Sequence, residues 1–155
     1  LFEMLKKNKK FSVACIQMNS QANLHKNILF AKNKIIFASK KGAKLILLPE
    51  NCFLMAKNNK QFLEFLTTEA LHPGVNEMKK IAKNLSVWII IGSVNIQEKK
   101  KIFNRSILID NTGKIKARYN KIHLFSAKLP NKKLYDEKDQ KRIVTVRGKG
   151  YMLSI

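Results

Sequence analysis

Only two cysteines, three prolines, six glycines and one tryptophan occur in the 155 residues. Cys15 and Cys52 each sit in an apolar segment, with no CxxC spacing. That pattern argues against a disulfide framework or a cysteine zinc site and fits a reducing compartment. No apolar run approaches the ~18 residues of a membrane span. The apolar start Leu1-Phe2-Glu3-Met4-Leu5 precedes its basic stretch, the reverse of a secretory signal. Secretion and membrane insertion are therefore not expected, and a cytoplasmic setting is. There is no glycine-rich phosphate loop and no metal-ligand cluster, so neither a cofactor nor a metal is expected.

Acidic residues are also scarce. Ten Asp and Glu stand against 31 Lys and Arg, a formal charge of +21. Clustered cations gain affinity for nucleic acid by releasing phosphate counterions. Here the cations are almost all lysine, spread over nearly every segment, with short runs at Lys6-Lys7, Lys99-Lys100-Lys101 and Lys132-Lys133. No aromatic ladder or arginine fork lies between them. Together with abundant Asn and Ile, this matches the codon usage of an AT-rich genome. A solvated basic surface is expected, without a specific nucleic-acid partner.

The length permits one domain, and a chain of about 150 residues buries about 68–70% of its unfolded surface, enough for a core without staples. Residues 11–18 form an apolar run of β-formers, read as a buried strand. Leu24, Ile28, Ala31, Ile35 and Ala38 then recur at helical spacing, with Asn23 as N-cap and Gly42 as stop. Residues 45–48 are again apolar and end at Pro49-Glu50, which completes a β-α-β unit with parallel strands and a right-handed crossover. Two helices are predicted over residues 61–68 and 76–84, separated by the breaker His72-Pro73-Gly74. Residues 87–94 read as a strand. Residues 103–109, the turn Asp110-Asn111-Thr112-Gly113 and residues 114–119 read as a hairpin, so the sheet is mixed. Residues 120–141 read as a long polar loop of the kind that carries function. Two further strands are predicted over 143–146 and 151–155. No internal repeat or interdomain linker interrupts this α/β pattern, and residues 1–10 form a basic lead.

Two residues stand out for chemistry. Glu50 lies just past the carboxyl end of a buried strand, the edge where ligands and catalytic groups collect in open α/β sheets. It reads either as a cap for the next element or as a general base tuned by partial burial. Lys121, within Tyr119-Asn120-Lys121-Ile122-His123-Leu124-Phe125, is by itself one lysine among many.

Together, in order and separation, these two tracts resemble the first two active-site motifs of the nitrilase superfamily, the carbon-nitrogen hydrolases. Val13-Ala14-Cys15-Ile16-Gln17-Met18, Gly42-Ala43-Lys44, Ile91-Gly92-Ser93 and Phe103-Asn104-Arg105-Ser106 are similar to the same family, and the resemblance runs from about Phe11 to the last residue. It implies an α-β-β-α sandwich, a mixed sheet with covering helices, present here in part. The implied chemistry is attack by a Cys thiolate on a small linear amide or a nitrile through a thioester. Glu50 would be the base that takes the thiol proton and Lys121 the cation that steadies the oxyanion. Glu137, in Tyr135-Asp136-Glu137-Lys138-Asp139, matches a second glutamate that would orient Lys121. His123 matches a supporting position. The tract from Lys121 through Lys128-Leu129-Pro130-Asn131 looks most like the branch containing deaminated glutathione amidase and omega-amidase.

The nucleophile's motif is not matched. In the family, the cysteine directly follows a strand like Tyr151-Met152-Leu153-Ser154-Ile155, so residues 11–155 are expected to be an incomplete hydrolase domain ending just before it. Cys15 and Cys52 are expected as core thiols. The loop before Ile143 is short, a Pro-Gly usual after the second glutamate is absent, and Ser126 stands where relatives often carry Asp. The expected function is thus an amidase present as an inactive amino-terminal part, with a small-molecule amide as substrate of the complete enzyme. The partners considered are the downstream half or further copies of the chain. The rivals are a non-catalytic remnant of a disrupted gene and a basic binding protein reusing the fold.

Overall fold

The structure, a computed structural model, describes residues 10–122 and the short paired segments at 126–127 and 135–136. The expectations for residues 1–9, His123, Glu137 and the strands over 143–146 and 151–155 lie outside the described residues.

The first half is a β-α-β unit made of β1 (Ser12–Cys15), α1 (Leu24–Lys40) and β2 (Ala43–Leu47). Strands β1 and β2 run parallel, with Val13 opposite Leu45 and Cys15 opposite Leu47. The Asn23 side chain accepts the Lys26 N–H at the start of α1, satisfying one of the amides a helix leaves unpaired there. The buried stripe of α1 is Leu24, Asn27, Ala31, Ile35 and Ala38, three or four residues apart, so it faces the sheet along its whole length. Gly42 takes φ +90°, which a side chain resists, and turns the chain into β2.

The chain continues through α2 (Asn59–Phe65) and α3 (Pro73–Leu85) into β3 (Trp88–Glu98), which pairs parallel with β2. β4 (Lys101–Ile109) and β5 (Ile115–Asn120) follow antiparallel, giving a mixed sheet of order β1-β2-β3-β4-β5. In the turn between the last two strands, Asp110 Oδ1 accepts from the Thr112 and Lys114 amides and from the Thr112 hydroxyl. A short antiparallel pair, β6 (Ser126–Ala127) with β7 (Tyr135–Asp136), lies within the stretch expected as an unbroken loop.

Three expectations need correction. His72-Pro73-Gly74 does not merely separate two helices; it starts α3. His72 is the N-cap, its Nδ1 accepting from the amides of Gly74 (3.1 Å) and Val75 (3.3 Å). Pro73 sits in the first turn, where its missing N–H breaks no helical bond. Strand β3 runs on to Glu98 instead of ending near Val94, because its polar residues pair with β4 beyond a register shift between Ile91 and Val94. Cys15 is exposed and is not a core thiol. Side chains alternate along a strand, and Ala14 is the β1 residue that packs against the core.

Helices α1 and α3 cover one face of the sheet. Ile46, Ile89, Ile91, Ile107 and Ile109 on that face are wholly buried, packed in one cluster with Ala31, Ile35, Met78 and Ala82. Full burial of such a side chain is worth about 1.5–3 kcal/mol, so this layer dominates the hydrophobic term. On the opposite face Val13, Cys15 and Trp88 are exposed, Leu45, Leu47, Ile90 and Leu108 are half-buried, and no described element covers them.

Candidate active site

Beyond β2 the backbone keeps its place in the sheet for two more residues. The Leu48 N–H donates to Ile90 O at 2.9 Å, and Pro49 O accepts from the Ser93 N–H at 3.3 Å. This lays Leu48-Pro49 directly over Gly92. A Cβ there would stand 2.3 Å from Leu48 O and 2.6 Å from Pro49 O, so only glycine lets the strand end pass. Glu50 follows at the carboxyl edge of the sheet.

The next residue turns the chain sharply. Asn51 has φ +46°, in the left-handed region, and is gripped from three sides. Its N–H donates to Ser93 Oγ at 2.9 Å, while its Oδ1 accepts from Asn95 Nδ2 at 3.3 Å and Asn104 Nδ2 at 3.2 Å. Cys52 then enters the core, fully buried, with Sγ 3.6 Å from Ser93 O. Burial pushes its thiol well above the usual cysteine range, which leaves no thiolate for attack.

Lys121 leaves the opposite side of the same edge, immediately after β5. Its N–H donates to Asn104 O at 2.8 Å, adding one rung to the β4–β5 ladder. β3 and β4 separate β5 from β2 in the sheet, but residues 48–51 cross over β3, and Lys121 Nζ forms an ion pair with Glu50 Oε1 across 71 residues of sequence. The lysine side chain is 17% exposed and the glutamate 55%. The partial burial expected of Glu50 is thus not what the described residues provide: its carboxylate reaches solvent and its partner is the lysine.

Beside this pair lies an arginine network that the sequence reading did not single out. Arg105 is buried and donates through Nε to Asn120 Oδ1 (2.7 Å), through Nη1 to Glu69 Oε2 (3.1 Å) and through Nη2 to Glu98 Oε2 (2.7 Å). Arg118 adds bonds from Nε and Nη2 to the Glu69 carboxylate. Partial burial alone raises the Glu69 carboxyl, but the Arg118 and Arg105 hydrogen bonds outweigh it and hold it below the usual carboxylate range. The network fixes Asn120, the neighbour of Lys121. Its signal in the sequence is Asn104-Arg105-Ser106, part of the tract that is similar to the family.

The edge therefore presents a solvent-reaching carboxylate beside an ammonium, with a rigid polar turn behind them. A carboxylate can take a proton and a fixed ammonium can stabilise an adjacent anion, the pair of functions that acyl transfer requires.

This fold belongs to an established class. The chain is a member of the carbon-nitrogen hydrolase family, which matches residues 12–148. It is 33% identical over 138 residues to nitrilase homolog 2 of Dictyostelium discoideum, covering 88% of this chain and 42% of that protein. It is also 33% identical over 132 residues to the deaminated glutathione amidase of Synechocystis sp., covering 83% of this chain and 48% of that enzyme. The crystal structure of the C. elegans NitFhit protein superposes with a TM-score of 0.71 at 25% identity, over 86% of this chain and 33% of that one. The chain thus spans less than half the length of these relatives.

Proposed function

We propose that these residues are the Glu- and Lys-bearing part of an amidase that cleaves a small linear amide through a cysteine thioester. The observation that carries this reading is the meeting of Glu50 and Lys121 at the carboxyl edge of the sheet. Glu50 is the base that takes the thiol proton. Lys121 stabilises the oxyanion that forms as sulfur adds to the amide carbon, and Glu137 orients that lysine. Similarity to the deaminated glutathione amidase supports a small amide as the substrate class. Neither cysteine serves as the nucleophile, since Cys52 is buried with its thiol pushed away from ionisation and Cys15 lies on the sheet face that no described element covers. Among the described residues no helix is long and apolar enough to cross a membrane.

Two assays test the reading. The 155-residue chain alone should not hydrolyse small ω-amides, and turnover that Cys52→Ala abolishes would show the nucleophile misassigned. A chimera in which this chain replaces the aligned stretch of the Synechocystis enzyme should hydrolyse that enzyme's substrate. Glu50→Gln or Lys121→Ala in that chimera should lower kcat by about 10²–10³. A chimera that folds yet remains inactive would favour a non-catalytic descendant of the family.

A further inference from the structure

We infer that Asn104 is the positioning residue that sets Glu50 and Lys121 against each other; the inference rests on the active-site reading given above. Asn104 lies in β4, 2% exposed, and touches the neighbours of both residues. Its backbone carbonyl accepts the Lys121 N–H at 2.8 Å, and its side-chain Nδ2 donates to Asn51 Oδ1 at 3.2 Å, one residue past Glu50. One residue thus joins the backbone of Lys121 to the residue that follows Glu50, although Glu50 and Lys121 are 71 positions apart in sequence.

The Asn51 end of this tie has an external hold. A φ of +46° is uncommon for a residue with a Cβ, asparagine adopts it more readily than most, and here the side chain is also held from outside. Asn51 Oδ1 is the acceptor through which Asn95 and Asn104 hold it, and the direction in which Glu50 leaves the strand follows from that turn. The Asn104 amide has no competing task. Its Oδ1 is buried and finds no donor among the described residues, so the bond to Asn51 sets the orientation of the amide. A side chain selected only to fill this place between β3 and β5 would be apolar, as its neighbours Ile107 and Ile109 on β4 are.

The test reads the reactivity of the Lys121 amine in the 155-residue chain. A limiting amine-acylating reagent is followed by peptide mass mapping, with the exposed Lys116 as internal standard. Glu50→Gln removes the Glu50 charge from Lys121 and should raise its acylation severalfold relative to Lys116. Asn104→Ala should produce the same rise with Glu50 intact, while far-UV dichroism stays unchanged. Asn51→Gly is the second variant, because glycine keeps the left-handed turn without strain while losing the amide that Asn104 grips. It should also raise Lys121 reactivity, and it decides the matter if Asn104→Ala does not fold. A purely structural role for Asn104 would lower the melting temperature and leave Lys121 as protected as in the unaltered chain. A rise with Glu50→Gln and none with the folded asparagine variants overturns this inference and leaves the active-site reading standing. No rise with Glu50→Gln overturns the pair itself, and the inference with it.

Discussion

His72 accepts two backbone amides through Nδ1 at the start of α3, and burial lowers its imidazole from the usual value of 6.5 to about 4. Between those values the unfolded chain binds a proton that the folded chain refuses, so stability falls as pH drops from 6.5 toward 4 and levels off below. At about 1.4 kcal/mol per pH unit the loss amounts to about 3 kcal/mol. His72→Asn keeps a capping oxygen and removes the titration. Thermal melts from pH 7 to 4 should therefore decline for the unaltered chain and stay nearly flat over that interval for the variant. Glu69 adds a second, more acidic step. Its carboxyl is depressed, so the stability from its arginine bonds is present above the ordinary glutamate range and is lost as acid protonates it. Residue type alone did not reveal these roles. A histidine before Pro-Gly looks like punctuation, and only the positions of two amides make it a cap.

At the scale of elements, the crossing of Leu48-Pro49 over Gly92 sets where Glu50 emerges. Gly92→Ala would drive a Cβ to 2.3 Å from Leu48 O, and backbone on both sides leaves little room to yield. We expect a loss of about 3 kcal/mol or more, the upper range for overpacking, measured by urea denaturation. A loss below about 1 kcal/mol, the ordinary size for point changes, would mean that the strand end is free to shift. Most elements were legible in the sequence. The α1 stripe repeats every three or four residues and Asn23 caps it, and both signals act within one or two turns of chain. The far half of β3 was not legible, since Asn95 and Gln97 look like turn residues until β4 supplies their partners Asn104 and Ile102.

At the scale of the whole molecule, a charge of +21 on 155 residues acts against compaction. The described ion pairs of Lys32 with Glu77, Arg105 with Glu69 and Glu98, Arg118 with Glu69, and Lys121 with Glu50 engage four of only ten acidic residues. Most lysines are therefore left to repel one another over the Debye length, which shrinks from about 30 Å at 0.01 M salt to about 8 Å at 0.15 M. The melting temperature should rise by several degrees when sodium chloride is raised across that range. A fall would show that the screened ion pairs contribute more than the screened repulsion.

The sequence by itself determined the α/β alternation, the parallel first pair of strands and the hairpin turn at Asp110-Gly113. Each of these depends on neighbours a few residues apart, where periodicity and backbone stereochemistry act directly. It also singled out Glu50 and Lys121, through an ordered set of short motifs. Only the tertiary structure decided that the two meet, that Asn104 ties the segments carrying them, and that Cys15 faces away from the helices while Cys52 is sealed beneath Ser93. Those outcomes follow from the path of the chain after β2, which crosses β3 at Ser93 and Asn95 and reaches Asn104 on β4, the strand beside β5. Contacts spanning 53 and 71 residues form because the isoleucine layer packs under α1 and α3, and no local preference of asparagine, lysine or glutamate encodes them.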